Sequence, residues 1–215
     1  MSGLASSDSG QIVFVIDDDP AILEALDSLL RSVGLDVSCF GSVAAFLDAP
    51  RPDIPSCLVL DVRLPGKSGM DFQKELAGSQ APLPVIIMTG HGDIAMSVQA
   101  MKAGAIDFLP KPFREQDLLD AIAAALDKDR SRRAHMAELD ALRARLATLS
   151  DGERDVVAQV VLGRLNKQIA GDLGVSEITV KVRRARAMRK MQAGSLPELV
   201  KMIDRLAAES SARGH

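Results

Sequence analysis

Five short apolar runs recur through the first half of the chain, and between them apolar residues return at the three-to-four spacing of a helix. The runs are Gln11-Ile12-Val13-Phe14-Val15-Ile16, Leu35-Asp36-Val37-Ser38-Cys39-Phe40, Leu58-Val59-Leu60-Asp61, Pro84-Val85-Ile86-Ile87-Met88 and Ile106-Asp107-Phe108-Leu109. Runs this short, bounded by turn-forming or acidic residues, predict buried strands. The first intervening helix starts at Pro20, carries Ile22, Leu23, Leu26, Leu29, Leu30 and Val33 at helical spacing, and stops at Gly34, because proline suits a first turn and glycine a helix end. Further helices are predicted over residues 43–49, 70–76, 94–102 and 115–126. Strand and helix alternate five times, which predicts an α/β domain: a five-stranded, parallel, doubly wound sheet whose strand ends share one edge.

The second half lacks such runs. No Pro or Gly occurs from Arg114 to Asp151, which predicts a helical connector, as one helix or two abutting ones, and not a flexible linker. Leu118, Leu119, Ile122 and Leu126 form an apolar stripe. Residues 127–133 are polar all round, and Leu139, Leu142, Leu146 and Leu149 then resume a three-four-three step. That step fits a coiled-coil seam between two chains or packing within one chain. Ser150-Asp151-Gly152-Glu153 has the form of a capping box, after which Val156, Val157, Val160, Val161 and Leu162 are expected to face a core. A short helix over residues 166–173 ends at Gly174, a third spans 177–193, and a last one 196–206. Two helices joined by a tight glycine turn, the later one basic, fit a helix-turn-helix.

The chemistry of the first half lies at the strand ends. Asp17 and Asp18 follow the first run, Asp61 ends the third, Thr89 follows the fourth and Lys111 the fifth. Acids converging on one edge suit Mg²⁺, which takes a few carboxylates, keeps waters and helps bind phosphate oxygens. A carboxylate beside such a metal can attack phosphorus and form an acyl phosphate, with Thr89 and Lys111 offering a hydroxyl and a positive charge to the phosphoryl oxygens. Each residue alone has a plainer reading as a strand-terminal turn residue or a surface lysine.

Charge divides the chain as the patterns do. Up to residue 129 there are nine Lys and Arg against nineteen Asp and Glu, and from residue 130 seventeen against ten. An acidic front half joined to a basic back half suggests a cation or phosphate site followed by a nucleic-acid contact. The 47% hydrophobic content is that of a globular protein, and no run approaches the roughly 18 apolar residues of a membrane helix. The first residues have neither a basic start nor an apolar stretch, so they form no secretion signal. Cys39 and Cys57 lack metal-ligand spacing and read as small hydrophobes in a reducing compartment, with the cytoplasm as the expected location. The absence of Trp and Tyr disfavours single-strand binding by stacking.

The motifs Val15-Ile16-Asp17-Asp18-Asp19-Pro20, Leu60-Asp61-Val62-Arg63-Leu64-Pro65-Gly66, Ile87-Met88-Thr89-Gly90-His91-Gly92 and Asp107-Phe108-Leu109-Pro110-Lys111-Pro112-Phe113 resemble, in order, the receiver domain of two-component response regulators of the FixJ group. The resemblance implies that Asp61 is the phosphoacceptor and that Asp17, Asp18, Asp61 and the Arg63 backbone carbonyl hold Mg²⁺. It also implies that Thr89, Lys111 and Phe108 act as switch and phosphate-sensing residues, that Lys111-Pro112 is cis, and that Arg63 and His91 tune dephosphorylation. Partners implied are a sensor histidine kinase and, on phosphorylation, a second copy of the chain.

Gly163-Arg164-Leu165-Asn166-Lys167-Gln168-Ile169-Ala170 with Gly174-Val175-Ser176-Glu177-Ile178-Thr179-Val180-Lys181-Val182 resembles the LuxR/NarL-type DNA-binding domain, a reader of double-stranded promoter DNA. On a helical wheel Val180, Ala187 and Met191 form an inner face. Lys181, Val182, Ala185, Arg186 and Arg189 take the opposite arc, able to reach a major groove. Arg184 lies at the margin, where it is expected to snorkel. Asn166 and Lys167 begin the preceding helix, a setting suited to phosphate, and Thr179 joins them as a candidate contact. The family often has His where Arg183 stands, an acid near Arg189 and Thr-Pro-Arg-Glu where Ser150-Asp151-Gly152-Glu153 stands. These departures suggest a more basic and less selective reading helix.

The organisation expected is a tail over residues 1–11, a receiver over 12–127, a helical linker over 128–148, a helix-turn-helix domain over 149–208 and a tail over 209–215. The function expected is a phosphorylation-dependent transcriptional regulator and not a turnover enzyme. One alternative is a phosphatase, because Asp17 and Asp19 with a downstream Thr and Lys resemble the haloacid-dehalogenase type; Lys111, however, is followed by Pro112-Phe113-Arg114 and not by an acidic pair. Another is an architectural protein with a vestigial acidic site, against which the intact set Asp17, Asp18, Asp61, Thr89 and Lys111 speaks.

Overall fold

The computed structural model describes residues 10–66, 68–79, 82–90 and 94–212, which divide into two compact units between Arg133 and Ala134. In the first unit β1 (Ile12–Ile16), β2 (Asp36–Phe40), β3 (Ser56–Asp61), β4 (Val85–Thr89) and β5 (Asp107–Pro110) alternate with α1 (Pro20–Ser32), α2 (Val43–Asp48), α3 (Gly69–Ala77), α4 (Ile94–Lys102) and the first part of a long α5 (Glu115–Ala147), whose later residues belong to the second unit. The strands pair in parallel in the order β2-β1-β3-β4-β5. The order reverses between β1 and β3, and in such sheets a crevice opens at that point beyond the carboxyl ends of the strands. Ile16 is the register partner of Leu60, so Asp17 and Asp61 leave the sheet on either side of the crevice.

Alternate strand residues serve opposite faces. Phe14, Ile16, Leu58, Leu60 and Ile87 pack with Phe46 of α2, Phe72 of α3 and Ala100 of α4. Val13, Val15, Val59, Ile86 and Met88 pack with Leu30 of α1 and Leu118 and Ile122 of α5. Both faces are covered, which is why the strands read as continuous apolar runs. Cys57 is buried and Cys39 partly so; burial raises both thiols, Cys39 to about 11, in keeping with small apolar packing residues.

The connector is a single helix, α5. Of the two packings open to its leucine stripe, the structure has the one within the chain: Leu139 and Leu142 pack against Leu206, and Leu149 against Val157, Ala187, Met191 and Leu199.

The second unit contains α6 (Asp151–Val161), α7 (Asn166–Leu173), α8 (Glu177–Met191) and α9 (Leu196–Ala212). Gly174, at φ 64°, closes α7, and Ser176 starts α8 by accepting from the Thr179 N–H at 3.1 Å. Three expectations need correction. Leu162 is 71% exposed, because α6 ends at Val161 and the helical spacing ran on into its cap. The third helix stops at Met191, where Gln192 turns left-handed at φ 58°. The last helix does not stop at Leu206 but runs on to Ala212, with no Pro or Gly between Leu206 and Gly214 to break it, so residues 209–212 are helical and not tail. Residues 1–9 and 213–215 of the expected tails lie outside the described residues. Among the described residues no helix is long and apolar enough to cross a membrane.

Candidate functional site

β1 and β3 deliver Asp17 and Asp61 to the crevice, and both are buried, at 1% and 5% exposure. Carboxylates removed from water need partners. Lys111, in the loop after β5, donates from Nζ to Asp17 Oδ2 at 2.5 Å and to Asp61 Oδ1 at 2.8 Å. The remaining oxygens accept backbone N–H bonds, Asp61 Oδ2 from Arg63 at 2.6 Å and Asp17 Oδ1 from Asp19 at 3.0 Å. Burial pulls the Lys111 ammonium down, but the bonds to Asp17 and Asp61 outweigh it and hold its pKa above the ordinary lysine range. The Lys111 N–H donates to the Thr89 carbonyl at 2.7 Å, tying the loop to the end of β4, and the Lys111–Pro112 bond is cis. Thr89 is buried at the same edge, and Phe108 is half-buried against the α2–α4 side of the core. His91 lies outside the described residues.

The expected cluster of Asp17, Asp18 and Asp61 is not assembled. Lys111 lies between Asp17 and Asp61, Asp18 is exposed, and among the described residues no three acidic, His or Cys side chains are gathered closely enough to hold a metal. The donors nevertheless fit Mg²⁺, which needs only one or two carboxylates and keeps several waters. Asp17 and Asp61 are hard oxygen donors whose two negative charges a single ammonium offsets only in part.

In the second unit the burial of Val180, Ala187 and Met191 and the exposure of Lys181, Val182, Ala185, Arg186 and Arg189 follow the helical wheel. Lys167 is exposed, Thr179 half-buried beside the Ser176 hydroxyl at 2.9 Å. The Asn166 side-chain oxygen accepts from Arg184 Nη1 at 3.0 Å, so Arg184 is not a snorkelling side chain but a tie between α7 and α8. Lys190 Nζ donates to Glu153 Oε2 at 2.6 Å and to the Thr148 carbonyl at 2.9 Å, and with the Ser150 N–H it holds the buried Glu153 carboxyl below its usual range. Arg183 lies over Gly152, where a Cβ would stand 2.7 Å from its Cζ. The two departures at Arg183 and Gly152 are therefore one packing arrangement. Three of the six cations of α8 serve the fold, and the helix is less basic on its outer face than its composition suggests.

Two further residues bear on the site. Gly69 starts α3 so close to β3 that a Cβ would overlap the Asp61 carbonyl. Asp129, in the stretch read as polar all round, is fully buried: it accepts from the Ser56 N–H at 3.0 Å, Arg132 Nη2 at 2.6 Å and Arg133 Nε at 2.6 Å. Burial works against its charge, but these bonds prevail and hold its carboxyl below the usual range. Arginines three and four residues after an aspartate were the one available signal.

A family model described as the response regulator receiver domain matches residues 13–123, and one described as bacterial regulatory proteins, luxR family, matches residues 147–203. The chain is 48% identical over 209 residues to nodulation protein W of Bradyrhizobium diazoefficiens, covering 97% of this chain and 92% of that one. It is 48% identical over 190 residues to transcriptional regulatory protein FixJ of Azorhizobium caulinodans, covering 88% and 90%. Among solved structures it resembles the response regulator StyR, at 45% identity and a TM-score of 0.81, over 92% of this chain and all of that one.

Proposed function

We propose a mechanism for a chain that belongs to the two-component response regulators of the FixJ/NarL type, with a receiver domain followed by a LuxR-type DNA-binding domain. It is a phosphorylation-dependent, DNA-binding transcriptional regulator. Its phosphoacceptor is Asp61. An oxygen of that carboxylate attacks the phosphorus of a phosphohistidine on the partner histidine kinase. The P–N bond breaks with its electron pair going to the imidazole, and an acyl phosphate forms. The observation that carries this reading is the Lys111 ammonium shared by two buried carboxylates at the β1–β3 crevice.

Receiver domains generally bind Mg²⁺ in their acidic pocket; Asp17, Asp18, Asp61 and the Arg63 carbonyl would hold it here, and when bound it neutralises charge on the phosphoryl oxygens. Lys111 moves its ammonium from the carboxylates to the phosphoryl group. The Thr89 hydroxyl donates to the same group, and Phe108 turns inward behind it. Water slowly hydrolyses the acyl phosphate, which resets the switch; the chain turns over no other substrate.

Phosphorylation favours a homodimer that sets two α8 helices into successive major grooves of promoter DNA. Lys181, Val182, Ala185, Arg186 and Arg189 face the groove, with Asn166, Lys167 and Thr179 beside the backbone. The phosphorylated state must bind DNA more tightly than the unmodified one for the switch to act. A kinase partner and promoter DNA support the cytoplasm as the location of this chemistry. The test is labelling by radioactive acetyl phosphate with Mg²⁺: the native chain takes up phosphate and Asp61→Asn takes up none. Label persisting in Asp61→Asn would sink the assignment.

A further inference from the structure

The outward face of α8 has an apolar centre line. At about 100° per residue, Ile178, Val182, Ala185 and Arg189 lie opposite the buried line of Val180, Ala187 and Met191, and the cations Lys181 and Arg186 flank them. Ile178 is 73% exposed and Val182 44%; they stand four residues apart on one face. A single exposed apolar residue is ordinary. Three of them in a row along the middle of an outer face, with Lys181 and Arg186 at its sides and Arg189 only at its far end, is the reverse of a solvated helix surface.

We propose that Ile178 is a specificity-determining residue which, together with Val182, packs against thymine 5-methyl groups, so that each half-site presents A·T pairs to the first two turns of α8. The proposal rests on the reading of α8 as the helix that enters the major groove. Residues in the first turns of a reading helix reach the base edges, and the thymine methyl is the apolar feature displayed there. Isoleucine and valine cannot pair with guanine O6 and N7 or cytosine N4, so a G·C pair under them would lose its water without gaining a hydrogen bond. Ala185 keeps the next turn small enough for close approach, while Lys181 and Arg186 lie to either side, toward the phosphates.

The test uses the full chain, phosphorylated by acetyl phosphate, to select duplexes from a random pool. Thymines of a selected duplex are then replaced one at a time by deoxyuridine, which removes the methyl and nothing else. The expected result is a thymine position in each half-site where deoxyuridine weakens the native chain about fourfold, the worth of one buried methyl, and leaves Ile178→Ser unchanged. Ile178 contributes nothing to the core, so this variant folds. Native affinity indifferent to every such replacement, or an Ile178→Ser variant as sensitive as the native chain, overturns the proposal while DNA reading by α8 stands. Failure to select any duplex overturns both.

Discussion

The Asp129 carboxylate accepts a hydrogen bond at 3.0 Å from the backbone N–H of Ser56, the first residue of the strand that ends on Asp61. One strand thus has the Asp61 carboxylate at one end and the long helix fastened to the other, with Arg132 and Arg133 completing the fastening and Arg133 also pairing with Asp53. Removing one member of a buried, bonded charge group leaves the rest without partners. Asp129→Ala is therefore expected to cost about 3 kcal/mol of unfolding free energy, measured by urea denaturation with circular dichroism, and Asp129→Asn less, because its amide oxygen still accepts from Ser56. The folded pKa lies below the unfolded one, so the contribution is present above about pH 4 and fades as pH falls through the folded value. The gap between native chain and Asp129→Ala should close in acid; a gap constant with pH would remove the charge from the account.

How much of this was legible in the sequence follows from what each signal measures. Apolar periodicity reports burial on regular elements, so the strands, their parallel order class and the inner face of α8 could be read directly. The strand ends could be read because Asp17, Asp61, Thr89 and Lys111 close apolar runs. Periodicity says nothing about where an apolar pattern outlasts its helix, as at Leu162, nor about a charged residue buried by its own partners, as at Asp129. Arg183 and Gly152 are far apart in sequence, and only their contact explains why both depart from the family pattern. The pairing of Asp17 and Asp61 through Lys111 was hidden for the same reason: carboxylates that converge read as a cation site, whether the cation is a metal or an ammonium.

Lys111→Gln leaves the Asp17 and Asp61 carboxylates facing each other in a buried crevice. The expected cost is about 3 kcal/mol at neutral pH. Millimolar Mg²⁺ should recover much of it, since a hard divalent ion can take the place of the ammonium between two carboxylates. Because the Lys111 pKa is raised, its contribution is complete below the ordinary lysine value of about 10.4 and is lost as pH rises through the folded value. The difference between native chain and variant should be flat from neutral pH to about 10 and shrink beyond it. A melting temperature raised equally by Mg²⁺ in both proteins would count against the shared site.

Gly69→Ala should disturb phosphorylation with no change in any polar group. Its Cβ would overlap the Asp61 carbonyl, and backbone on both sides must shift to admit it. We expect a loss of roughly 2 kcal/mol together with slower labelling by acetyl phosphate, because the shifted residue is Asp61, the proposed phosphoacceptor. Normal labelling with normal stability would show that the α3 start has slack.

Arg184 and Arg186 stand two residues apart on α8 and should fail in different assays. Arg184 holds Asn166 at 3.0 Å, so Arg184→Ala gives up a charged hydrogen bond between α7 and α8, worth about 1.5–3 kcal/mol, and lowers the melting temperature of the second unit. Arg186 is exposed and, among the described residues, has no ion-pair partner. Arg186→Ala should leave the melting temperature unchanged within about 0.5 kcal/mol and weaken DNA binding at every sequence. If it meets a phosphate, the slope of log affinity against log salt should fall by about 1 in magnitude. If it meets a guanine edge instead, the slope stays and preference at one base pair is lost by about 1–3 kcal/mol. An Arg186→Ala chain with native affinity, slope and preference would mean that the outer face of α8 is not the face that meets DNA.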